Sequence, residues 1–233
     1  MIWAIVPAAG SGSRFGGGVP KQYQMLAGRA LIARTLERLL DHPRVAAVMV
    51  ALADADEHWR HVPMDFAKPV QTCIGGADRA ASVRAALQAL PDDVADDDIV
   101  LVHDAARPCL HRADLDRLLH EAATAPAGAL LAAPVRDTLK RADVQGAVAA
   151  TVSRESLWRA LTPQAFRRGL LRDALDQAAL AGVVVTDESM AVERLRLQPR
   201  LVAGREDNIK VTVAEDLALA ALILARQHAE ANP

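Results

Sequence analysis

Residues Met1 to Tyr23 read MIWAIVPAAGSGSRFGGGVPKQY, and this stretch decides the fold. A short apolar run reaches Pro7, a glycine-rich loop follows, and two cations, Arg14 and Lys21, come with it. Small residues at Ala8, Ala9, Gly10 and Gly12 let backbone N–H groups approach a ligand closely. Backbone donors plus two full positive charges suit a polyphosphate. Two common phosphate loops are excluded. A dinucleotide fingerprint needs G-x-G-x-x-G with an acid about 20 residues on, but Phe15 occupies the third glycine position and Asp54 lies too far along. A P-loop needs G-x-x-x-x-G-K-[ST], whereas Lys21 here follows Pro20 and precedes Gln22.

Composition narrows the function classes. The chain has 233 residues, 52% hydrophobic but only 3% aromatic, so aliphatic side chains must fill the core. A net charge of −2 gives no general electrostatic case for nucleic acid or an acidic membrane. Cys73 and Cys109 are too few for a disulfide framework, lack metal spacing, and read as thiols in a reducing compartment. No apolar run approaches the roughly 18 residues of a membrane span. The N-terminus lacks the basic region of a signal peptide. A cytoplasmic protein is expected.

Along the chain, short β-rich runs alternate with helical patterns. The runs are Ile2–Val6, Val45–Leu52, Pro69–Ile74, Ile99–His103, Ala129–Pro134 and Arg200–Ala203. Helical segments fall at Ala30–Asp41, Arg79–Leu90, Arg112–Ala123 and Arg168–Ala181, with Val83, Ala86, Leu87 and Leu90 on one face. Thr212-x-x-Glu215 reads as a capping box before a last helix through Leu217–Ala225. This alternation predicts an α/β fold, a mainly parallel sheet flanked by helices, as a single domain over 1–233. Ligands of such sheets bind beyond the C-terminal strand ends, which puts the opening loop and the residues after His103 at one rim. Residues 135–155 break the rhythm and predict a projecting β-hairpin arm turning around Ala142–Gly146. Such a hairpin is marginal alone, so a second copy of the chain is its expected support.

Three further stretches carry chemistry. In Gly75-Gly76-Ala77-Asp78-Arg79-Ala80-Ala81-Ser82, a glycine pair leads into a helix, giving a base room to lie on the backbone with Ser82 as a partner. In His103-Asp104-Ala105-Ala106-Arg107-Pro108, a strand ends in an acid suited to metal or hydroxyls and a cation suited to phosphate. His103, within the strand, reads as structural. In Asp207-Asn208-Ile209-Lys210, the lysine stands near a helix N-terminus, itself favourable for anions. Thr138, Arg154, Thr162 and Thr186 are isolated polar residues, and Asp187 and Glu188 read as helix N-terminal acids.

Taken together, PAAGSGSRFGGGVPKQY, GGADRAASV, HDAARP, VRDTLKR, TVSRESLWRALTPQAF, TDES and DNIKVT resemble the 2-C-methyl-D-erythritol 4-phosphate cytidylyltransferase family. The motifs run in family order from residue 2 to about 225. The resemblance implies a Rossmann-like nucleotidyltransferase fold, CTP and methylerythritol phosphate as substrates, Mg²⁺, and a homodimer joined by the arm. It implies that Arg14 and Lys21 stabilise the transition state. Arg154, reaching in from a partner subunit, and Lys210 would position the sugar phosphate. Asp104, Arg107, Thr138, Thr162 and Thr186 would line the sugar-phosphate site. Ala8, Ala9, Gly10, Gly12, Gly76, Ser82 and Ala105 would contact the nucleotide, and Mg²⁺ would be held mainly through nucleotide phosphates. Ala77 departs from members that carry an acid there.

A phosphate monoester has a second pKa near 6, so such an acceptor is already nucleophilic at neutral pH. That matches the lack of any Ser–His–Asp or Cys–His pattern. A cytidylyltransferase for another polyol phosphate, such as ribitol 5-phosphate, would share the nucleotide loops and differ in the sugar pocket. A non-catalytic nucleotide-binding protein would be expected to lack Arg14, Lys21 or Lys210. The end at Pro233 reads as a monofunctional enzyme.

Overall fold

The computed structural model describes residues 1–10, 15 and 18–231; Gly12 and Arg14 lie outside them. In chain order the elements are β1 (Ile2–Pro7), β2 (Met25–Leu26), β3 (Arg29–Ala30), α1 (Leu31–Leu40), β4 (Ala47–Leu52), β5 (Val70–Ile74), α2 (Arg79–Gln88), β6 (Ile99–Val102) and α3 (Arg112–Thr124). There follow β7 (Ala129–Pro134), β8 (Leu139–Ala142), β9 (Val148–Val152), β10 (Trp158–Arg167), α4 (Arg168–Leu180), α5 (Glu188–Glu193), β11 (Arg200–Ala203) and α6 (Glu215–Ala231).

β1 and β4 are apolar on both faces because both faces are covered. Alternate residues point to opposite sides of a strand. Ala4, Val6, Val48 and Val50 meet α1 and α3 through Leu36, Leu39, Leu115 and Leu118. Trp3, Ile5, Met49 and Ala51 meet α2 and α4 through Val83, Leu87, Leu171 and Leu175. Continuous apolar runs of this kind mark the buried parallel strands of α/β proteins. Helix α6 closes a third cluster, placing Ala220, Ile223 and Leu224 against Leu26, Leu31 and Val211. Among the described residues, no helix is long and apolar enough to cross a membrane.

Among the described residues the main sheet has seven strands in the order β11-β7-β10-β6-β1-β4-β5. β1 pairs in parallel with β4 and with β6, so the chain leaves β1 to one side and later returns to the other. The loops after β1 and β6 diverge there, at a crevice beyond the strand ends where α/β sheets bind ligands. β10, which the sequence pattern did not reveal, runs antiparallel to both β6 and β7. Its register sets Gln164 opposite Val102 and Arg167 opposite Ile99. The preceding residue pair, Thr162-Pro163, therefore reaches past the end of β6 to the same rim. The pairing with β7 shifts between Ala160 and Gln164, an irregularity that accommodates a proline inside the sheet.

The expected hairpin is present: β8 and β9 form a separate two-stranded ladder. Its turn is tied by the Asp143 carboxylate, which accepts from Gln145 N (3.0 Å) and Ala147 N (2.8 Å). The expected capping box is not. A turn at Val213, closed by Asp216 N–H on the Val213 carbonyl at 3.2 Å, starts α6 beyond the reach of Thr212. The Asp216 carboxylate accepts from Thr212 N at 2.7 Å, and the Thr212 hydroxyl donates to the Lys210 carbonyl at 3.1 Å.

The entry into β7 depends on one glycine. Gly128 has φ +79°, and a Cβ there would lie 2.3 Å from the buried Phe166 ring and 2.6 Å from the Ala165 carbonyl. Backbone strain and overpacking then add. Gly128→Ala is expected to cost about 2–4 kcal/mol. Urea unfolding would measure it, and a change below about 0.5 kcal/mol would place the substitution among neutral surface changes.

Candidate active site

The loop after β1 is held from below by Gln22. Its buried amide donates to the Ala8 carbonyl (2.9 Å) and the Gly10 carbonyl (3.1 Å), leaving the opposite edge of that backbone toward the crevice. Gln22 belongs to a short 3₁₀ turn, Lys21–Tyr23, that begins after Pro20. Tyr23 fastens the turn by donating to Asp56 Oδ2 at 2.6 Å; burial first, and then Asp56, push its phenol pKa up. Lys21 Nζ reaches the Val211 carbonyl at 3.2 Å. The lysine is thereby fixed between the opening loop and the segment leading to α6.

The glycine pair before α2 serves packing first. A Cβ on Gly75 would come within 2.7 Å of Ala9 Cβ, and one on Gly76 within 2.3 Å of Ala81 Cβ. The loop after β5 can meet the loop after β1 only without a side chain at Gly75, and can turn into α2 only without one at Gly76. The Ser82 hydroxyl accepts from Gly76 N (3.1 Å) and donates to the Asp78 carbonyl (2.8 Å), and Asp78 caps α2 by accepting from Ala81 N (2.8 Å).

At the end of β6 stands Asp104, 7% exposed, bound by three cations. Arg79 Nε reaches its Oδ1 at 3.1 Å; Arg107 Nε and Lys210 Nζ reach its Oδ2 at 3.2 and 3.0 Å. Burial alone would raise the Asp104 pKa. The charges of Arg79, Lys210 and Arg107 outweigh it and hold the carboxyl well below the usual range. Burial lowers the Arg107 pKa against the pull of Asp104, whereas Glu188 and Asp104 overcome the burial of Arg79 and raise its pKa. Arg79 forks onto Glu188 at 2.5 and 3.0 Å.

β10 braces this cluster. The Asn208 amide donates to the Thr162 carbonyl at 2.7 Å, and its own backbone carbonyl accepts from Arg107 at 2.7 Å. His103 Nε2 faces the Arg107 carbonyl at 3.0 Å, so that nitrogen carries the proton. Nδ1 therefore accepts from the Thr162 hydroxyl (2.9 Å), which in turn accepts from Asp104 N (3.1 Å). His103 is a buried strut with both nitrogens occupied, as its position in the sequence suggested.

Two cavities flank the cluster. The larger, about 400 Å³, is lined by Ala8, Ala9, Gly10, Lys21, Gly76, Ala77, Ser82 and Ala105. The smaller, about 260 Å³, is lined by Arg107, Thr162, Gln164, Thr186 and Asp187. Arg79, Asp104 and Lys210 face both. The expected nucleotide residues inside the described region thus line the first, and Arg107, Thr162 and Thr186 line the second. Thr138 and Arg154 lie exposed on the arm and line neither. Arg154 donates instead to the Arg136 carbonyl. Sequence reasoning missed Arg79 as a site residue, along with Glu188, Gln22 and Asn208. Arg79 had a signal, a cation in the first turn of a helix entered through two glycines. The others are announced by nothing local. Among the described residues, no three His, Cys, Asp or Glu side chains gather to hold a metal.

The family model for 2-C-methyl-D-erythritol 4-phosphate cytidylyltransferase matches residues 2–226. The chain belongs to this family. It is 61% identical to the enzyme of that name from Xanthomonas campestris pv. campestris strain 8004, over 93% of this chain and 82% of that protein. It is 57% identical to the enzyme of that name from Stenotrophomonas maltophilia strain K279a, over 97% of both chains. A crystal structure of a 4-diphosphocytidyl-2C-methyl-D-erythritol synthase superposes with a TM-score of 0.83 at 36% identity, covering 96% of this chain and 98% of the other. The Rossmann-like nucleotidyltransferase fold of this cytidylyltransferase family is therefore the fold of this chain.

His103 gives this family member a testable acid sensitivity. Burial lowers its pKa to about 4. As pH falls from 7, the unfolded chain takes up the proton first, so stability drops between about pH 6.5 and 4, by about 3 kcal/mol. Burial raises the Glu188 pKa, which opposes this slope, so the comparison must be with a variant. Urea unfolding of His103→Gln is expected to show a shallower fall over that window. Parallel curves for the two proteins would contradict the neutral, buried assignment.

Proposed function

We propose that this protein transfers a cytidylyl group from CTP to 2-C-methyl-D-erythritol 4-phosphate, releasing pyrophosphate. The carrying observation is the pair of cavities that share one wall of Arg79, Asp104 and Lys210. A nucleotide in the larger cavity and a sugar phosphate in the smaller bring two anions to the same cations. An oxygen of the acceptor phosphate attacks the α-phosphorus of CTP, and the bond from that phosphorus to the leaving pyrophosphate breaks. The product is 4-diphosphocytidyl-2-C-methyl-D-erythritol. No general base is required, because a phosphate monoester with a second pKa near 6 is largely dianionic at neutral pH. The barrier lies in bringing anions together and stabilising the charge that accumulates, which positioned cations supply.

Lys21 and Arg14 then serve the triphosphate, and Lys210 and Arg107 serve the acceptor phosphate. Both Asp104 oxygens already face cations. That favours Mg²⁺ carried mainly by the nucleotide's own phosphates, where it would neutralise charge on the leaving group. Thr138 and Arg154 complete the acceptor pocket in a homodimer whose arms cross. The support for this is the arm itself, a two-stranded ladder that leaves Val148 66% exposed and whose turn leaves Val144 96% exposed. A cytoplasmic setting follows from the same reading.

The test is pyrophosphate release with CTP, Mg²⁺ and methylerythritol phosphate, run beside ribitol 5-phosphate and an ATP control. Fast release is expected only with CTP and methylerythritol phosphate; a preference for ribitol 5-phosphate would keep the chemistry and change the acceptor. Lys21→Ala and Arg14→Ala are each expected to lower kcat by about 10²–10³. Co-expressed Lys21→Ala and Arg154→Ala chains should regain about a quarter of wild-type activity, because half of the randomly paired dimers then hold one intact site. No recovery would argue against a site shared between subunits.

A further inference from the structure

Glu188 reads from the sequence as an acid in the first turn of a short helix, but that task is already filled. The Asp187 carboxylate caps α5, accepting from Met190 N at 3.0 Å. The Glu188 side chain is 1% exposed and turned the other way, forking onto both terminal nitrogens of Arg79. Taking a carboxylate out of water costs several kcal/mol unless it is well paired. A capping acid would have no reason to be buried there. Something in the arrangement requires Arg79 to be held.

The requirement is geometric. Asp104 binds Arg79 through Nε alone, a single contact that leaves the plane of the guanidinium free to turn. Asp104 also serves Arg107 and Lys210. Without a second acceptor, Arg79 would collapse onto Asp104 and compete with those cations. The fork onto Glu188 draws Arg79 away and fixes its plane. Three of its five N–H donors are then used by Asp104 and Glu188, and the residue still lines both cavities.

We propose that Glu188 is a positioning residue for cytidylyl transfer: it fixes the Arg79 guanidinium on the wall between the two cavities, so that the remaining donors serve a phosphate oxygen at the junction of nucleotide and acceptor. Arg79 makes the contact; Glu188 acts only through it. The role rests on the cytidylyl-transfer reading, and the two fail separately.

The experiment compares wild type, Glu188→Gln, Arg79→Ala and the double variant by pyrophosphate release, with equilibrium titration of CTP and a thermal melt for each. Glu188→Gln is expected to lower kcat/KM for the acceptor by about 10²-fold, the scale of a misplaced catalytic contact, while Kd for CTP stays within about threefold. The double variant is expected to be no worse than Arg79→Ala, because a residue acting through another adds nothing once that other is gone. Full acceptor kcat/KM in Glu188→Gln, or losses that add in the double variant, overturns the role. Should Glu188→Gln not fold, Arg79→Lys tests the same link, since it keeps the charge and removes the fork. The same loss at unchanged CTP affinity supports the role, and normal kcat/KM sinks it. A wild type silent with every acceptor refutes the cytidylyl-transfer reading and this role with it. An active wild type with an unimpaired variant refutes this role alone.

Discussion

One buried carboxylate organises the functional end of this molecule. Asp104 sits at the tip of β6 and binds Arg79 from the start of α2, Arg107 from its own loop, and Lys210 from the segment before α6. Three regions of chain distant in sequence converge on two oxygen atoms. Removing such a carboxylate would leave mutually repelling cations around a cavity wall, and removing any one cation would weaken the compensation for a buried charge. The rim is therefore electrostatically tied together as well as packed.

The antiparallel strand β10 makes that arrangement possible. A wholly parallel sheet would supply the rim only with loops leaving strand ends. β10 arrives at the rim from outside, and its register delivers Thr162 beside His103 and Asp104. The side chain and backbone of Thr162 then serve different partners, His103 and Asp104 on one side and Asn208 on the other. Gln164, two residues on, accepts from Ser189 N at 2.8 Å and donates to Asp187 at 2.9 Å, fastening α5 to the sheet. The short helix that carries Glu188 is thus located by the same strand that braces Asp104.

What was legible in the sequence follows from which signals are local. β1 and β4 announce themselves because burial on both faces demands an unbroken aliphatic run, and Val83, Ala86 and Leu87 because a helix facing a sheet needs a repeated apolar position. β10 was hidden. Its first residues, Trp158 and Arg159, are exposed although they pair with β7, Pro163 interrupts it, and the adjacent arm is exposed along most of its length. The cap of α6 was misread because Asp216 and Glu215 are adjacent acids, and only the preceding turn decides which one reaches back. Lys21, Asp104 and Lys210 were recognisable from loops whose composition suits anions. Glu188 and Asn208 were not, since their roles exist only between elements brought together by the fold. The glycines of the Gly75-Gly76 pair were legible as special, but the contacts that require them are with Ala9 and Ala81 of the protein itself.

The same geometry resolves a conflict inherent in binding polyanions with side chains. A cation free in solvent must be ordered when the ligand arrives, at the cost of its rotamer entropy. A cation held in advance by a carboxylate is ordered, but part of its field is cancelled. Exposure grades the compromise around Asp104. The Arg107 side chain is 11% exposed and also donates to the Asn208 carbonyl, so it serves largely as a strut. Arg79 and Lys210 are 26% and 39% exposed and remain at the cavity wall. Lys210 spends one of three ammonium donors on Asp104, and Arg79 three of five on two carboxylates, so each keeps donors for an incoming phosphate. The carboxylates need not be displaced when the ligand binds. They orient the cations, and the surplus of donors, more than the net charge, equips the site for charge that develops only during transfer.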